Sequence, residues 1–225
     1  MNINEIKWTK NQLWKGCILA SIAHAIMVAH YPELSNEHSW DGMNYSVQDS
    51  SGTRGTITFH PQYCIGAFRN EHSSRILGDA TNYIKYFQSA SDEIVKLAEA
   101  ETLQYLLDKV DEKILPVITT AFWGYENKLF TIDSFEDMWQ NGGFLLERQI
   151  SDFNSAVNGW IEYYDMSDVQ VSLLKSIYVR KIANPKDKII LSKDEIDMIE
   201  SREPEGLKES KISFEEINIT FEVVL

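Results

Sequence analysis

The alternation of apolar and polar residues between positions 40 and 69 constrains the fold of this chain most strongly. Apolar side chains occupy every second position in residues 43–47 and again in residues 56–59. A two-residue period is typical of a strand that buries one of its faces. A Ser/Gly-rich turn separates these two runs, and a His-Pro-Gln turn separates the second from a third run over residues 63–69. The pattern therefore predicts an antiparallel three-stranded meander over about residues 40–69.

The segment before the meander predicts a buried N-terminal helix. Thr9 and Gln12 have the spacing of a capping box, in which each side chain accepts a hydrogen bond from a backbone N–H at the start of a helix. The helical pattern continues to about His30 and ends before Pro32. Because apolar residues occupy nearly the whole circumference of this helix, it is expected to be buried on more than one side.

Helical patterns dominate the middle of the chain, and a strand pattern follows them. The predicted elements are helices over 83–87, 91–110, 135–139, 151–164 and 167–182, a short helix from 192, a loop over 201–210, and strands over 115–123, 128–132, 188–191 and 212–224. A hydrophobic strand at an open edge would promote aggregation, so the last strand is expected to complete a sheet. The prediction is an α+β fold with one domain over residues 1–225, and two sub-lobes over 1–112 and 113–225 are the alternative.

The charge of the chain argues against two classes of partner. Its 34 Asp and Glu residues outnumber its 21 Lys and Arg residues, so the formal net charge is −13 at pH 7. Such a chain is repelled by nucleic acid and by anionic membrane surfaces, whereas cationic proteins are attracted to it. The first 72 residues are nearly neutral, so the excess of acid lies beyond them. We therefore predict a basic protein partner, no nucleic acid and no membrane.

The two cysteines predict a reducing compartment. Cys17 and Cys64 form neither a disulfide framework nor a zinc pattern, which favours free thiols and a cytoplasmic location. The apolar run over residues 17–29 is too short to span a bilayer and contains His24.

A cysteine hydrolase is the alternative function. In that alternative Cys17 is the nucleophile, His38 is its base, and Asp41 or Asn44 orients the histidine. A reactive thiolate needs a helix N-terminus or a paired imidazole to lower its pKa. A helix that begins after Thr9 places Cys17 two turns inside, away from the positive end of the dipole, which favours a core cysteine. Catalytic residues are therefore assigned in this alternative alone.

Neither a metal nor a cofactor is predicted. No two of the five histidines have the i, i+4 spacing of a helical zinc site. The acids near residues 133–137 and 194–197 stand at predicted helix starts, where carboxylates complement the helix dipole. The glycines at 52 and 55 lack the pattern of a phosphate-binding loop.

Protein recognition is the function that the composition favours. Six tryptophans and ten tyrosines supply residue types that anchor interfaces. We predict a non-enzymatic acidic protein that binds a basic partner, in the form of an inhibitor or immunity-type protein that covers the site of a cationic toxin or nuclease. A homo-oligomer whose acids serve solubility alone is a further alternative. The predicted partner-binding residues are Trp40, Asp41, Trp123, Tyr125, Asp133, Glu136, Asp137 and Trp139.

Overall fold

The computed structural model describes residues 3–76, 78 and 81–222. The chain divides into two compact units, and each unit draws on two separate segments of the sequence. We name them the sheet unit, Met1–Leu13 with Asp41–Glu147, and the helical unit, Trp14–Trp40 with Arg148–Leu225. The boundaries fall after residues 13, 40 and 147, whereas the sub-lobes considered from the sequence met at residue 112.

The described residues contain strands and α-helices that we number in chain order. They are β1 (Asn4–Ile6), α1 (Lys10–Met27), β2 (His38–Asp41), β3 (Asn44–Gln48), β4 (Arg54–Thr58), β5 (Tyr63–Arg69), α2 (Asp92–Ala100), β6 (Leu107–Val110), β7 (Lys113–Pro116), β8 (Thr120–Tyr125), β9 (Lys128–Thr131), α3 (Phe135–Gln140), α4 (Glu147–Ile150), α5 (Phe153–Tyr164), α6 (Asp168–Ala183), β10 (Ile189–Leu191), α7 (Lys193–Asp197), α8 (Pro204–Glu216) and β11 (Ile219–Phe221). Short 3-10 helices cover Pro32–Leu34, Tyr83–Phe87, Thr102–Leu106 and Gly143–Leu146. The predicted α+β class is confirmed.

The predicted meander forms the centre of the antiparallel sheet in the sheet unit. Strands β3, β4 and β5 pair in sequence, with Tyr45 opposite Ile57 and Ile57 opposite Gly66. The sheet continues from β5 to β8, β9 and β1, and each of these pairs is antiparallel. Tyr45 and Ile57 are fully buried, as the two-residue period predicted.

The buried N-terminal helix is also confirmed. The backbone N–H of Thr9 donates to Gln12 Oε1 at 3.0 Å, and the backbone N–H of Gln12 donates to Thr9 Oγ1 at 3.2 Å, which closes the predicted capping box. From Cys17 onward nearly every residue of α1 is buried. In the helical unit these residues pack with α5, α6 and α8 around Trp160 and Phe214.

The predictions for residues 91–123 are partly wrong. Helix α2 ends at Ala100, and residues 107–116, which were predicted to extend the helix and begin a strand, form the β6–β7 hairpin. Asp111 and Glu112 occupy its turn with φ of 47° and 64°, the left-handed conformation that two-residue hairpin turns require. The predicted strand 115–123 is interrupted before β8, where the backbone N–H of Thr119 donates to the carbonyl oxygen of Phe68 at 2.7 Å.

The predictions for residues 201–224 also need correction. Helix α8 covers most of the predicted loop 201–210 and the first part of the predicted strand 212–224. Pro204 stands in the first turn, where its missing N–H costs nothing, and the buried Gly206, Ser210 and Phe214 follow the helical period. The strand is reduced to β11, which pairs in parallel with β10 and so completes a two-stranded sheet. The last part of the predicted strand, residues 223 and 224, lies outside the described residues.

Candidate functional site

A cleft of about 1020 Å³ lies on the sheet unit and joins aromatic side chains to acidic ones. Four aromatic residues from three neighbouring strands line it, and three glutamates line it as well. We name it the aromatic–acidic cleft; its lining is Ile3, Glu5, Pro61, Gln62, Tyr63, Ser89, Ser91, Glu93, Ile94, Trp123, Tyr125, Glu126 and Phe130. Volumes of this size are typical of ligand-binding clefts.

The register of the sheet brings the aromatic residues together. Trp123 and Tyr125 are two residues apart on β8, so both face the same side. Phe130 on β9 pairs with Trp123, and Tyr63 on β5 pairs with Tyr125. The ring centroids of Trp123 and Phe130 are 5.4 Å apart, and those of Tyr125 and Phe130 are 5.8 Å apart. Glu5 on β1 lies opposite Phe130 on β9, so cross-strand pairing extends this row of side chains to β1.

The aromatic residues of the cleft differ in the fraction of their surface that is exposed. Trp123 is 4% exposed and belongs to the core of the sheet unit together with Ile65 and Ile94. Phe130 and Tyr63 are half-buried, and Tyr125 is 47% exposed. A large aromatic side chain held at its base by a packed row and exposed at its outer end is the arrangement that anchors many protein interfaces.

The three glutamates of the cleft come from separate elements and are all exposed. Glu93 stands in the first turn of α2, where a hydrogen bond from the Ser91 side chain lowers its pKa below the ordinary value. Glu126 lies in the β8–β9 turn with a φ of 54°. Glu5 forms a 3.5 Å ion pair with Lys128, in which both side chains are more than half exposed. Such an exposed pair is weak and easily exchanged for another cation.

Three of the other predicted partner-binding residues lie around α3, where a second aromatic group is exposed. Trp139 is half-buried and stacks on Phe135 with a centroid distance of 5.7 Å. Phe135 is 52% exposed and also contacts Trp8, at 6.0 Å. Glu136 and Asp137 are exposed beside these rings, although Asp137 also accepts a hydrogen bond from the capping Ser134 hydroxyl at 2.6 Å.

Asp133, by contrast, has a structural role. It is 8% exposed, and Arg75 donates to both carboxylate oxygens, at 2.8 and 3.1 Å. Thr120 Oγ1 donates to the same carboxylate at 2.6 Å. Removing one partner of a buried pair leaves the other charge uncompensated, so loss of either side chain is expected to destabilise the sheet unit.

Trp40 and Asp41 do not line the cleft. In the helical unit, Trp40 is half-buried and its Nε1 donates to Ser21 Oγ at 2.7 Å. In the sheet unit, Asp41 is exposed and accepts a hydrogen bond from the Tyr105 hydroxyl at 2.8 Å. Of the eight predicted residues, Trp123 and Tyr125 are therefore the pair that the structure places in the cleft.

Two residues of the cysteine-hydrolase alternative, Cys17 and His38, are buried in the helical unit, whereas Asp41 is exposed in the sheet unit. Cys17 lies in the second turn of α1 and is fully buried. His38 is 5% exposed, and its ring contacts His24 at 5.3 Å and Trp160 at 5.4 Å. His24 follows Cys17 by seven residues on α1, which corresponds to about 10 Å along the helix axis. The Cys17 thiol is therefore not exposed to solvent in this structure.

Both thiols are expected to be unreactive in the native protein. Cys17 and Cys64 have exposed fractions of 0% and 1%, and burial raises the pKa of Cys64 to about 12 despite the nearby Lys10 charge. A disulfide reagent that releases a chromophore at neutral pH should therefore report no thiol in the native chain and both thiols in denaturant. Labelling of native Cys17 that disappears in His38→Ala would contradict this expectation and favour the hydrolase.

The residues that sequence reasoning missed are Glu5, Tyr63, Glu93, Glu126 and Phe130. They come from four segments that are far apart in the sequence, and it is the pairing of β1, β9, β8 and β5 that brings three of them to one row. The signal that was present is the period of two in residues 123–125 and the turn that places Glu126 beside them.

Comparison of the chain with protein-family models, with curated proteins and with solved structures found no match. Within residues 3–76, 78 and 81–222, no helix is both long enough and apolar enough to cross a membrane. In the same part of the chain, no three His, Cys, Asp or Glu side chains are grouped so that they could hold a metal ion.

Proposed function

We propose that this chain is a non-enzymatic protein that binds a basic partner protein, with the aromatic–acidic cleft as the anchor of the interface. The observation that carries the proposal is the meeting of Trp123, Tyr125 and Phe130 with three exposed glutamates in one concave site. Aromatic residues in a partly desolvated pocket supply most of the binding energy of many interfaces. Carboxylates around such a pocket select a cationic partner and speed its approach.

The charge of the whole chain supports the same proposal. A net charge of −13 produces a negative potential that extends over about a Debye length, roughly 8 Å at physiological salt. On α3 the exposed Phe135 and Glu136, beside the half-buried Trp139, offer further aromatic and acidic surface in the sheet unit. An inhibitor or immunity-type protein, which acts by covering a cationic toxin or nuclease, is the form of partner binding that this chemistry fits. We place that role in the cytoplasm, where the buried thiols of Cys17 and Cys64 stay reduced.

The first test is a charge-matched comparison of two double variants. Glu93→Gln/Glu126→Gln removes two charges at the cleft, and Glu33→Gln/Glu162→Gln removes two exposed charges from the helical unit. Each protein is used to capture partners from a lysate of the source cells, and the captured protein is purified and titrated against all three chains. We expect the cleft variant to bind about tenfold or more weakly at low salt and the control variant to bind within about twofold of the unchanged chain.

Salt dependence supplies the second part of that test. Affinity for the purified partner should fall steeply as ionic strength rises, and the fall should be shallower for Glu93→Gln/Glu126→Gln. If the partner is acidic, or if both double variants bind it equally well, the proposed site is wrong.

A further inference from the structure

The aromatic–acidic cleft has the chemistry of a pocket for one particular side chain. We infer that it accepts a single arginine side chain of the basic partner, stacked on Tyr125 and held by the carboxylates of Glu93 and Glu126. This inference rests on the proposed function and deepens it, because it names the group that the cleft recognises. It follows from three features of the site: the exposed aromatic face, the carboxylates of Glu93 and Glu126, which form no salt bridge among the described residues, and the size of the cleft.

The aromatic face suits a planar cation. Tyr125 is 47% exposed and its ring lies 5.8 Å from that of Phe130, so one aromatic side chain supports the other. A guanidinium group stacks on such a face through both its π system and its charge. The helical unit of the same chain shows this contact, since the guanidinium carbon of Arg148 lies 4.5 Å from the ring centroid of Tyr163 and 4.9 Å from that of Trp160.

The carboxylates at the cleft are available to an incoming cation. Among the described residues, neither Glu93 nor Glu126 forms a salt bridge with Lys or Arg, whereas Glu5 already pairs with Lys128. The guanidinium group presents its N–H donors in a fixed plane that matches carboxylate oxygens, and a lysine ammonium lacks this fork. The sheet unit contains such a paired contact between Arg75 and Asp133. We therefore commit to arginine and leave lysine as an outcome of the test.

The size of the cleft agrees with a side chain that is delivered by a protein. A volume of about 1020 Å³ exceeds what one arginine side chain fills, so the residues that flank the arginine also have room. Pro61, Gln62 and Ser89 line the cleft as well and provide surface for those flanking residues.

The test uses the full chain and three blocked amino acids. N-acetyl-arginine methylamide is titrated and compared with the lysine analogue, which keeps the charge, and with the citrulline analogue, which keeps the planar shape and loses the charge. Nitrogen-15 NMR follows the backbone amide signals of residues 62–63, 89–94 and 123–130. We expect the arginine amide to shift these signals, with an affinity about fivefold above that of the lysine amide and about tenfold above that of citrulline.

Matched variants identify the site. Tyr125→Leu and Glu126→Gln should each weaken arginine binding by about threefold or more, and Glu112→Gln, an exposed acid of the same unit outside the cleft, should leave it unchanged. Tyr125→Leu keeps an apolar side chain, so folding of this variant is checked from its NMR spectrum, and Glu126→Gln tests the same point independently.

The outcomes separate this inference from the proposed function. No binding of the arginine amide, equal binding of the lysine or citrulline amide, or signal changes confined to residues outside the cleft would each overturn the arginine pocket. If the arginine amide fails while Glu93→Gln/Glu126→Gln still loses the protein partner, the proposed function stands and the arginine pocket does not. If the arginine amide binds in the cleft while the cleft variant keeps full affinity for the partner, the proposed function fails.

Discussion

Replacing Gly16 with alanine is expected to lower the free energy of unfolding by about 3 kcal/mol or more. Gly16 lies on α1, and a β carbon at this position would stand 1.7 Å from the carbonyl oxygen of Gln149. The neighbouring atom belongs to the backbone, so the clash cannot be relieved by a side-chain rotation. In a helix without such a neighbour, replacing glycine with alanine raises the free energy of unfolding by about 1 kcal/mol. A decrease on Gly16→Ala would therefore indicate the close contact with Gln149.

Gly159→Ala is the matched control for this substitution. Gly159 also lies in a helix of the helical unit, but the nearest atoms to its added β carbon belong to the flexible side chain of Arg148, at 3.4 Å. We expect this variant to change the free energy of unfolding by about 1 kcal/mol or less. Denaturant unfolding of both variants checks the pair. Equal effects of the two substitutions would show that α1 and the segment at Gln149 do not approach as closely as described.

Acidification from pH 7 to pH 4 is expected to destabilise the helical unit by about 3 kcal/mol through His24 alone. Burial is the main cause that lowers the pKa of His24 to about 4, and burial together with the charges of His24 and Arg148 lowers the pKa of His38 well below its ordinary value. In the unfolded chain both imidazoles take up protons near pH 6.5. The native state therefore binds fewer protons than the unfolded state, and stability falls as the pH decreases from 6.5 toward 4.

His24 lies at one end of a buried chain of hydrogen bonds in the helical unit. Its Nδ1 lies 3.3 Å from the Tyr164 hydroxyl, which in turn donates to Glu37 Oε2 at 3.3 Å. Glu37 is also held by the Tyr163 hydroxyl, at 2.6 Å, and Arg148 lies over the ring of Tyr163. Burial, followed by the neighbouring Glu37 charge, raises the pKa of Tyr164, so this hydroxyl stays protonated through the whole range.

Unfolding free energies measured between pH 7 and pH 4.5 test this expectation. The unchanged chain should lose stability with a slope that approaches about 1.4 kcal/mol per pH unit for each buried histidine. His24→Gln removes one of the two titrating groups, so it should lower that slope by up to about 1.4 kcal/mol per pH unit. His72→Gln, at an exposed position of the sheet unit, is the control. A slope that is the same in the chain with and without His24 would contradict the assignment.

The parts of the fold that the sequence predicts are those with local causes. Thr9 and Gln12 close the predicted capping box at the start of α1, because the residues involved are three positions apart. The meander could be predicted because apolar and polar side chains alternate along its first two strands. The β6–β7 hairpin was missed because Asp111 and Glu112 carry none of the glycine or asparagine that usually indicates left-handed turns.

The candidate site is less predictable because it depends on contacts between distant segments. Trp123 and Tyr125 were identified from residue type and position, but Glu5 reaches the cleft through the pairing of β1 with β9, which no local pattern specifies. Asp133 is likewise placed by a contact with a distant segment. It follows a strand and precedes a helix, as exposed capping acids do, yet its carboxylate is buried against Arg75 because that arginine comes from a distant loop.

Hydrogen exchange on the complex tests the central claim most directly. The full chain is exchanged alone and with its purified basic partner, and protection of backbone amides is compared along the sequence. A partner anchored in the aromatic–acidic cleft should protect the backbone amides of residues 62–63, 89–94 and 123–130, the segments that carry most of its lining. Protection confined to the helical unit, with these three segments unchanged, would contradict the account.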